Sequence, residues 1–330
     1  MQAAIVGLGW WGRTIVRTMQ GSDALTITTA VDVDPSAASI AASHGLQFQP
    51  DFAAVLQDPT IDAVLLCTPH TLHSRQIEQA AAAGKHVFCE KPLCLTRADA
   101  AHAVAVCQHH HVTLGVGHER RFEPPVQALR HMVDAGELGT LLQIEANFSQ
   151  DKFLSLPADN WRLSETDAPA GPMTATGIHL LDLAVSFLGP AERVMTDVRR
   201  LGSELANGDS LAAMVRFRSG ACALISAILA TPFDGRFAIY GNLGWAEIRD
   251  KAHPESPDGW TLTKSIRGAG RQTIEFPPAT AVRGNLDAFA VAAAGGDPYP
   301  IPPDQMIATI AALEAVFRSA RSNAIEAVAD

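Results

Sequence analysis

The stretch Ala3-Ala4-Ile5-Val6-Gly7-Leu8-Gly9-Trp10-Trp11-Gly12 runs from a short apolar segment into three glycines spaced Gly-x-Gly-x-x-Gly. After a strand and before a helix, the first glycine permits a tight turn. The second lets backbone approach a pyrophosphate, and the third lets helix pack closely on strand. The helix N-terminus adds N–H groups and a positive dipole end that favour phosphate. The spacing predicts a dinucleotide-binding turn at Gly7, Gly9 and Gly12, with Trp10 and Trp11 as packing and cofactor-edge contacts. An acid completes the signature. Asp32 closes the second apolar run, about 20 residues beyond the turn, where a carboxylate accepts the ribose hydroxyls and repels a 2′-phosphate. No Lys or Arg lies between Val31 and Ala42, so NAD is expected rather than NADP.

Outward from this turn, apolar runs at Ala3–Val6, Thr26–Val31, Ala63–Cys67, His86–Cys89 and Val112–Val116 alternate with helical stretches at Gly12–Met19, Pro35–Ser43, Leu72–Ala83 and Arg97–His110. Continuous apolar strands separated by helices predict a doubly wound parallel sheet of the Rossmann type. Thr96, with Asp99 three residues on, reads as a capping box with the shorter acid. The texture changes near 118–123. Helices are expected at Pro124–Ala135 and Ala175–Leu188. They are followed by β-type segments at Leu211–Phe217, Cys222–Leu229, Phe237–Tyr240, Ala246–Ile248 and Thr261–Ile266, with turn signals such as Ser219-Gly220 and Asp234-Gly235 between them. That pattern predicts an α+β second domain around a mainly antiparallel sheet, closed by helices at Val282–Ala294 and Pro303–Ala320. The expected division is 1–120 for nucleotide binding and 121–330 for substrate binding and oligomerisation.

The whole chain fits this scheme. Its 330 residues suggest two domains at roughly 100–200 residues each. Hydrophobic residues make up 47% and charged residues 18%, which excludes intrinsic disorder. A net charge of −10 argues against a nucleic-acid partner. The longest apolar run, Ala221–Ala230, is far short of the roughly 20 residues of a membrane span. The N-terminus lacks a basic n-region, so no signal peptide is expected. Five cysteines without paired spacing fit reduced thiols in a cytoplasm. No Cys or His set has zinc-site spacing, and His109-His110-His111 sits at a helix end, where cationic side chains meet the dipole. No metal is expected.

Two further clusters follow strands: Thr68-Pro69-His70-Thr71-Leu72-His73, and the run Ala83-Gly84-Lys85-His86-Val87-Phe88-Cys89-Glu90-Lys91-Pro92. Ligands in such sheets bind at the carboxyl ends of strands, which puts Lys91 beside the nicotinamide. With Gly7–Gly12, Arg120-Arg121-Phe122 and Gly177-Ile178-His179-Leu180-Leu181-Asp182, these elements resemble the glucose–fructose oxidoreductase / inositol dehydrogenase superfamily, Gfo/Idh/MocA, over nearly the whole chain. The resemblance implies a Rossmann domain joined to an α/β domain whose open sheet often forms the interface of a homodimer or homotetramer. It implies hydride transfer between NAD(P) and a CH–OH carbon of a sugar, cyclitol or related polyol. Thr68, Pro69, His73 and Glu90 would lie on the cofactor side. Lys91 would assist proton removal from the hydroxyl, since a lysine partly desolvated beside a positive ring has its charged form disfavoured. Pro92 would fix its backbone through a cis peptide, and Glu90 would orient Lys91 or contact the cofactor. His179 would orient substrate or relay the proton, supported by Asp182 on the same helix face. Arg120, Trp161 and Arg162 would reach the substrate, Arg162 with a fork suited to a carboxylate. One position departs from the family. Four residues before His179, where its dehydrogenases carry Asp, stands Ala175, and a methyl cannot hydrogen-bond a hydroxyl. The chemistry then leans on Lys91 and His179. Alternatives are an NAD-using glycosidase of the same fold and a non-catalytic NAD-binding regulator.

Overall fold

In the computed structural model, which describes residues 1–329, six strands form one parallel sheet. They are β1 (Gln2–Val6), β2 (Thr26–Val31), β3 (Gln47–Gln49), β4 (Ala63–Leu66), β5 (His86–Cys89) and β6 (Leu114–Val116), in the order β3-β2-β1-β4-β5-β6. The helices α1 (Trp10–Met19), α2 (Ala37–Ser43), α3 (Phe52–Gln57), α4 (His73–Ala82) and α5 (Arg97–His109) connect successive strands. Strand order reverses between β1 and β4, the switch point at which such sheets bind ligands. Ala3, Ala4, Ile5 and all of Ala63–Leu66 are fully buried, as covering both faces requires. Thr96 caps α5 as expected: its hydroxyl oxygen accepts from the Asp99 N–H (3.1 Å) and its O–H donates to the Asp99 carboxylate (2.6 Å). β3 and α3 were not expected. A three-residue polar edge strand has no apolar run to announce it.

This first unit comprises Met1–Glu119 together with Val282–Ile307. Sequence order alone keeps 121–330 together, but the helix Ala281–Ala293 returns to the parallel sheet. Phe289 packs edge-on against Phe88 at 5.6 Å, with Leu286 and Ala290 in the same core cluster. At the end of β6 the Asn285 amide donates to the Val116 carbonyl (2.9 Å) and the Val116 N–H donates to the Tyr299 hydroxyl (3.2 Å). An apolar stripe and two polar side chains thus cover a sheet edge with a segment distant in sequence.

The second unit, Arg120–Ala281 with 308–329, holds a sheet of nine strands: β7 (Leu141–Ser149), β8 (Ala191–Arg199), β9 (Ser210–Phe217), β10 (Cys222–Ile228), β11 (Asp234–Gly241), β12 (Gly244–Asp250), β13 (Trp260–Ile266), β14 (Gly270–Phe276) and β15 (Glu326–Ala327). Their order is β14-β13-β12-β11-β7-β10-β9-β8-β15, antiparallel throughout except that β7 runs parallel to β10. β7 alternates Ile144, Ala146 and Phe148 inward. Asp234-Gly235, read as a turn, instead opens β11 and pairs with Ser149 and Phe148. α6 (Pro124–Asp134) precedes β7. α7 (Ile178–Leu188) is buried at every residue but Ser186, the mark of a core helix. The expected helix from Ala175 begins differently: Met173–Gly177 form a π-turn that leads into α7.

Candidate active site

In the first unit the glycine turn is built as its spacing predicts. Gly7 has φ +93° and its N–H donates to the Val31 carbonyl (2.8 Å). A Cβ on Gly7 would lie 2.7 Å from the Cys67 carbonyl oxygen, and one on Gly12 would clash with the Gly7 carbonyl. A Cβ on Gly9 would meet nothing within 4 Å. Two glycines therefore let backbone pack on backbone, while the middle one faces open space that a pyrophosphate fits. α1 starts directly after it, with no side-chain cap and no acid in its first turn, so its first N–H groups are presented to an anion. Asp32 is half-buried beside the turn. One carboxylate oxygen accepts from the Leu8 N–H (2.7 Å) and the other from the Asp34 N–H (3.0 Å), and each keeps a further lone pair for a ribose hydroxyl. Trp10 and Trp11 are half-buried, edge-on at 6.0 Å, and Trp11 packs on the core of this unit. The residues present fit a dinucleotide.

Thr68, Pro69 and Lys91 follow β4 and β5 at the same end of the sheet, and Thr68 donates from its hydroxyl to Gln76 (2.5 Å). The Lys91–Pro92 peptide is cis. Lys91 is half-buried and Glu90 buried. The Glu90 carboxylate accepts from the Lys91 backbone N–H (3.3 Å). It also lies where a Cβ on Gly117 would stand, 2.5 Å from that position. His73 is fully buried and sits apart from any ligand surface. Its Nδ1 lies 2.8 Å from the Pro92 carbonyl and its Nε2 3.1 Å from the Thr68 carbonyl. It ties the two turns together, and burial pushes its pKa down.

In the second unit, α7 carries His179, 5% exposed, with its ring 5.9 Å from that of Phe148. Asp182 and Arg120, expected at the substrate, are each held in a buried ion pair. Asp182 is gripped by Arg121 through two bonds (Nε to Oδ2 2.7 Å, NH2 to Oδ1 2.6 Å) and touched by the Thr309 hydroxyl. Arg120 spans Glu123 and Asp250, with NH2 at 2.8 Å from both Asp250 oxygens, and its guanidinium sits 5.4 Å over the Phe148 ring. Burial opposes its charge, but Asp250 and Glu123 outweigh that and push its pKa up. Trp161 and Arg162 form a half-buried 3-10 turn in which the guanidinium stacks 4.3 Å over the indole. Ala175 packs against the apolar cluster of Phe153, Leu205 and Leu229.

Four residues without any signal in the sequence, Gln150, Lys152, His253 and Glu255, form one hydrogen-bonded chain, of which His253 meets the same Phe148. His253 lies 5.8 Å from that ring. Its Nδ1 accepts from Lys152 Nζ (3.0 Å) and the Glu255 N–H (3.2 Å), so Nε2–H donates to Gln150 Oε1 (2.8 Å). Lys152 also pairs with Glu255 at 2.7 Å. Burial first, then the charges of Lys152 and Arg120, push the His253 pKa down to about 3, so the imidazole is neutral. Among the described residues, no group of three or more His, Cys, Asp or Glu could hold a metal ion, and no helix is long and apolar enough to cross a membrane.

Fold and site define an oxidoreductase with an NAD-binding Rossmann unit. The oxidoreductase family with an NAD-binding Rossmann fold matches residues 1–118, and the Gfo/Idh/MocA C-terminal domain matches residues 126–247. The chain is 32% identical over 264 residues to the uncharacterized oxidoreductase YrbE of Bacillus subtilis, covering 76% of this chain and 74% of that protein. It is 26% identical over 331 residues to D-xylose 1-dehydrogenase (NADP(+)) 2 of Haloferax volcanii, covering 98% of each. A crystal structure titled as a putative NADPH-dependent oxidoreductase from Desulfitobacterium hafniense shares the fold with a TM-score of 0.88 at 22% identity, over 99% of this chain and 97% of that one. The chain belongs to the Gfo/Idh/MocA family of oxidoreductases.

Proposed function

We propose that this protein is a dehydrogenase using NAD in preference to NADP, acting on a CH–OH carbon of a sugar, cyclitol or related hydroxylated small molecule. The observation that carries the reading is one shared sheet edge. The glycine turn, Thr68-Pro69 and Lys91 leave the carboxyl ends of β1, β4 and β5, which are neighbours. Strands are ~4.8 Å apart, so Lys91 stands about 10 Å along that edge from the glycine turn. When bound, the nicotinamide supplies a two-electron acceptor for hydride. In its neutral form Lys91 takes the substrate hydroxyl proton as the C–H bond breaks and C=O forms. His73 and Glu90 fix the backbone that aims Lys91. Taken by itself, the second unit offers His179, Trp161, Arg162 and the Gln150–His253–Lys152–Glu255 chain as polar groups suited to hydroxyls. The fixed Asp32 carboxylate favours the free 2′-hydroxyl of NAD, although the Haloferax relative is named for NADP(+). Comparing turnover with the two nucleotides decides this.

The five free cysteines support a cytoplasmic location. A homodimer or homotetramer through the outer face of the nine-stranded sheet is supported by Met195, Met214 and Leu224. These are direct cross-strand neighbours on β8, β9 and β10, and all three are exposed. Light scattering that returned a monomer would remove this part. The central test follows reduced nicotinamide while sugars, cyclitols and hydroxy acids are screened. On any substrate found, Lys91→Met is expected to lower kcat by about 100- to 10,000-fold, with nucleotide binding retained in tryptophan fluorescence. Unchanged turnover would refute the assignment.

A further inference from the structure

A cavity of about 420 Å³ in the second unit is lined by none of the residues assigned above to nucleotide or substrate. Val198, Phe317 and Ala320 give it an apolar surface, and Arg199, Arg200, Arg321 and one acid, Glu165, make up its charged lining. Arg199 pairs with Asp197 (2.7 Å) and Arg200 lies 3.8 Å from Glu204. Both are exposed pairs of the kind worth little, so a ligand can compete for them. Arg321 makes no ion pair among the described residues.

Asn207 forms the link from this cavity to the rest of the unit. It is 5% exposed, and its Nδ2 donates to the carbonyls of Arg162 and Ala168, each at 2.8 Å. Its own carbonyl accepts from the Gly171 N–H (2.7 Å). Its Oδ1 is buried with no hydrogen-bond partner, and a buried acceptor left in that state is destabilising until a donor reaches it. Ala170, also in the lining, holds φ +50°, a left-handed backbone that a residue with a Cβ rarely adopts. The Ala170 carbonyl accepts from the Met173 N–H (2.7 Å) and so opens the π-turn before α7. One side of the cavity, Glu165, Pro169 and Ala170, therefore belongs to the segment that runs from Trp161–Arg162 to the helix of His179, with the left-handed Ala170 within it.

We propose that this cavity binds a small hydroxylated anion, an organic phosphate or carboxylate, and that its occupancy resets the segment 161–170. The arginines bind the anionic head bidentately, and as segment 161–170 resets, the Asn207 amide oxygen, closed to solvent in the structure, is opened to a ligand hydroxyl. Binding stands independently of the dehydrogenase reading, whereas the effect on substrate rests on it.

The test uses protein saturated with NADH, which fills the other anion site. Glycerol 3-phosphate and glycerate are titrated calorimetrically, with glycerol as the uncharged control. At least one anion is expected to bind with Kd at or below about 1 mM, and glycerol is not. The double variant Arg200→Gln/Arg321→Gln, exposed at both positions, is expected to keep the parent Tm and to bind the anion about tenfold or more weakly. Which anion binds separates the phosphate from the carboxylate source. Absence of binding by both anions, or equal binding by parent and variant, would overturn the site. If the anion binds but leaves the KM of the screened substrate unchanged, the coupling to segment 161–170 is wrong. A protein that binds the anion yet turns over no substrate contradicts the dehydrogenase reading alone.

Discussion

Ala175 shows how one residue can be legible in kind and misread in context. As a gap in a family pattern it looks like a missing hydrogen-bonding group. In the fold its methyl faces Phe153, Leu205 and Leu229, so the position belongs to an apolar cluster. Ala175→Asp is therefore expected to place a carboxylate against apolar neighbours, lowering stability by about 1–3 kcal/mol without raising kcat. A faster variant with an unchanged Tm would show that the position still awaits an acid. The turn at Gly7, Gly9 and Gly12, Asp32 beside it and the place of Lys91 at the end of β5 were readable from sequence because each is local: a turn, an acid at a fixed distance, a lysine after a strand. The ion pairs of Arg120 and Asp182 were not. Their partners are Asp250, 130 residues away, and Arg121, 61 residues away, and no spacing rule connects such partners. The same holds for His253 and Lys152, brought together across 101 residues.

At the scale of elements, periodicity and caps located the long helices, the parallel strands other than β3, and β9 to β13 to within a few residues. What escaped was short, polar or spliced in from elsewhere. β3 is too short to show a pattern, and β7 enters the middle of the second sheet from earlier in the chain. The helix Ala281–Ala293 was seen, but its partner was not, because an apolar stripe does not say which sheet it will cover. The contact itself leaves a testable mark. A Cβ on Gly115 would stand 2.8 Å from both the Phe88 and Phe289 rings, so glycine at this point of β6 is what admits the returning helix. Gly115→Val is expected to force that interface apart and destabilise the protein by about 1–3 kcal/mol. Limited proteolysis should then cut first in the segment 294–302 that follows the displaced helix. Unaltered stability and cleavage would mean the helix contributes little to the first unit.

For the whole molecule, three wholly or partly buried histidines of an acidic chain couple stability to pH. His73 and His86 in the first unit and His253 in the second are all pushed down by burial, His253 to about 3. An unfolded chain returns each to about 6.5. Below that pH the unfolded chain binds protons that the native state refuses, so stability rises with pH and falls on acidification. His253 contributes to this loss from about pH 6.5 down to about 3, by at most about 1.4 kcal/mol per pH unit. Asp209 adds to it further down. Burial pushes its pKa up, but hydrogen bonds from the Leu201 and Gly202 N–H groups and the Ser203 hydroxyl outweigh that and hold it below the usual value. A carboxylate so held loses its contribution only as pH falls through about 4. The expected profile is a Tm that is level near neutrality, declines below about pH 6.5 and steepens near 4. His253→Gln keeps a neutral donor and acceptor between Lys152 and Gln150 while removing the titrating ring. It is expected to flatten the decline between pH 6.5 and 4 relative to the parent, read as Tm against pH by calorimetry. If the two slopes coincide, the imidazole is not held neutral by its buried place beside Lys152 and Arg120, and acid sensitivity must come from His73, His86 and the carboxylates.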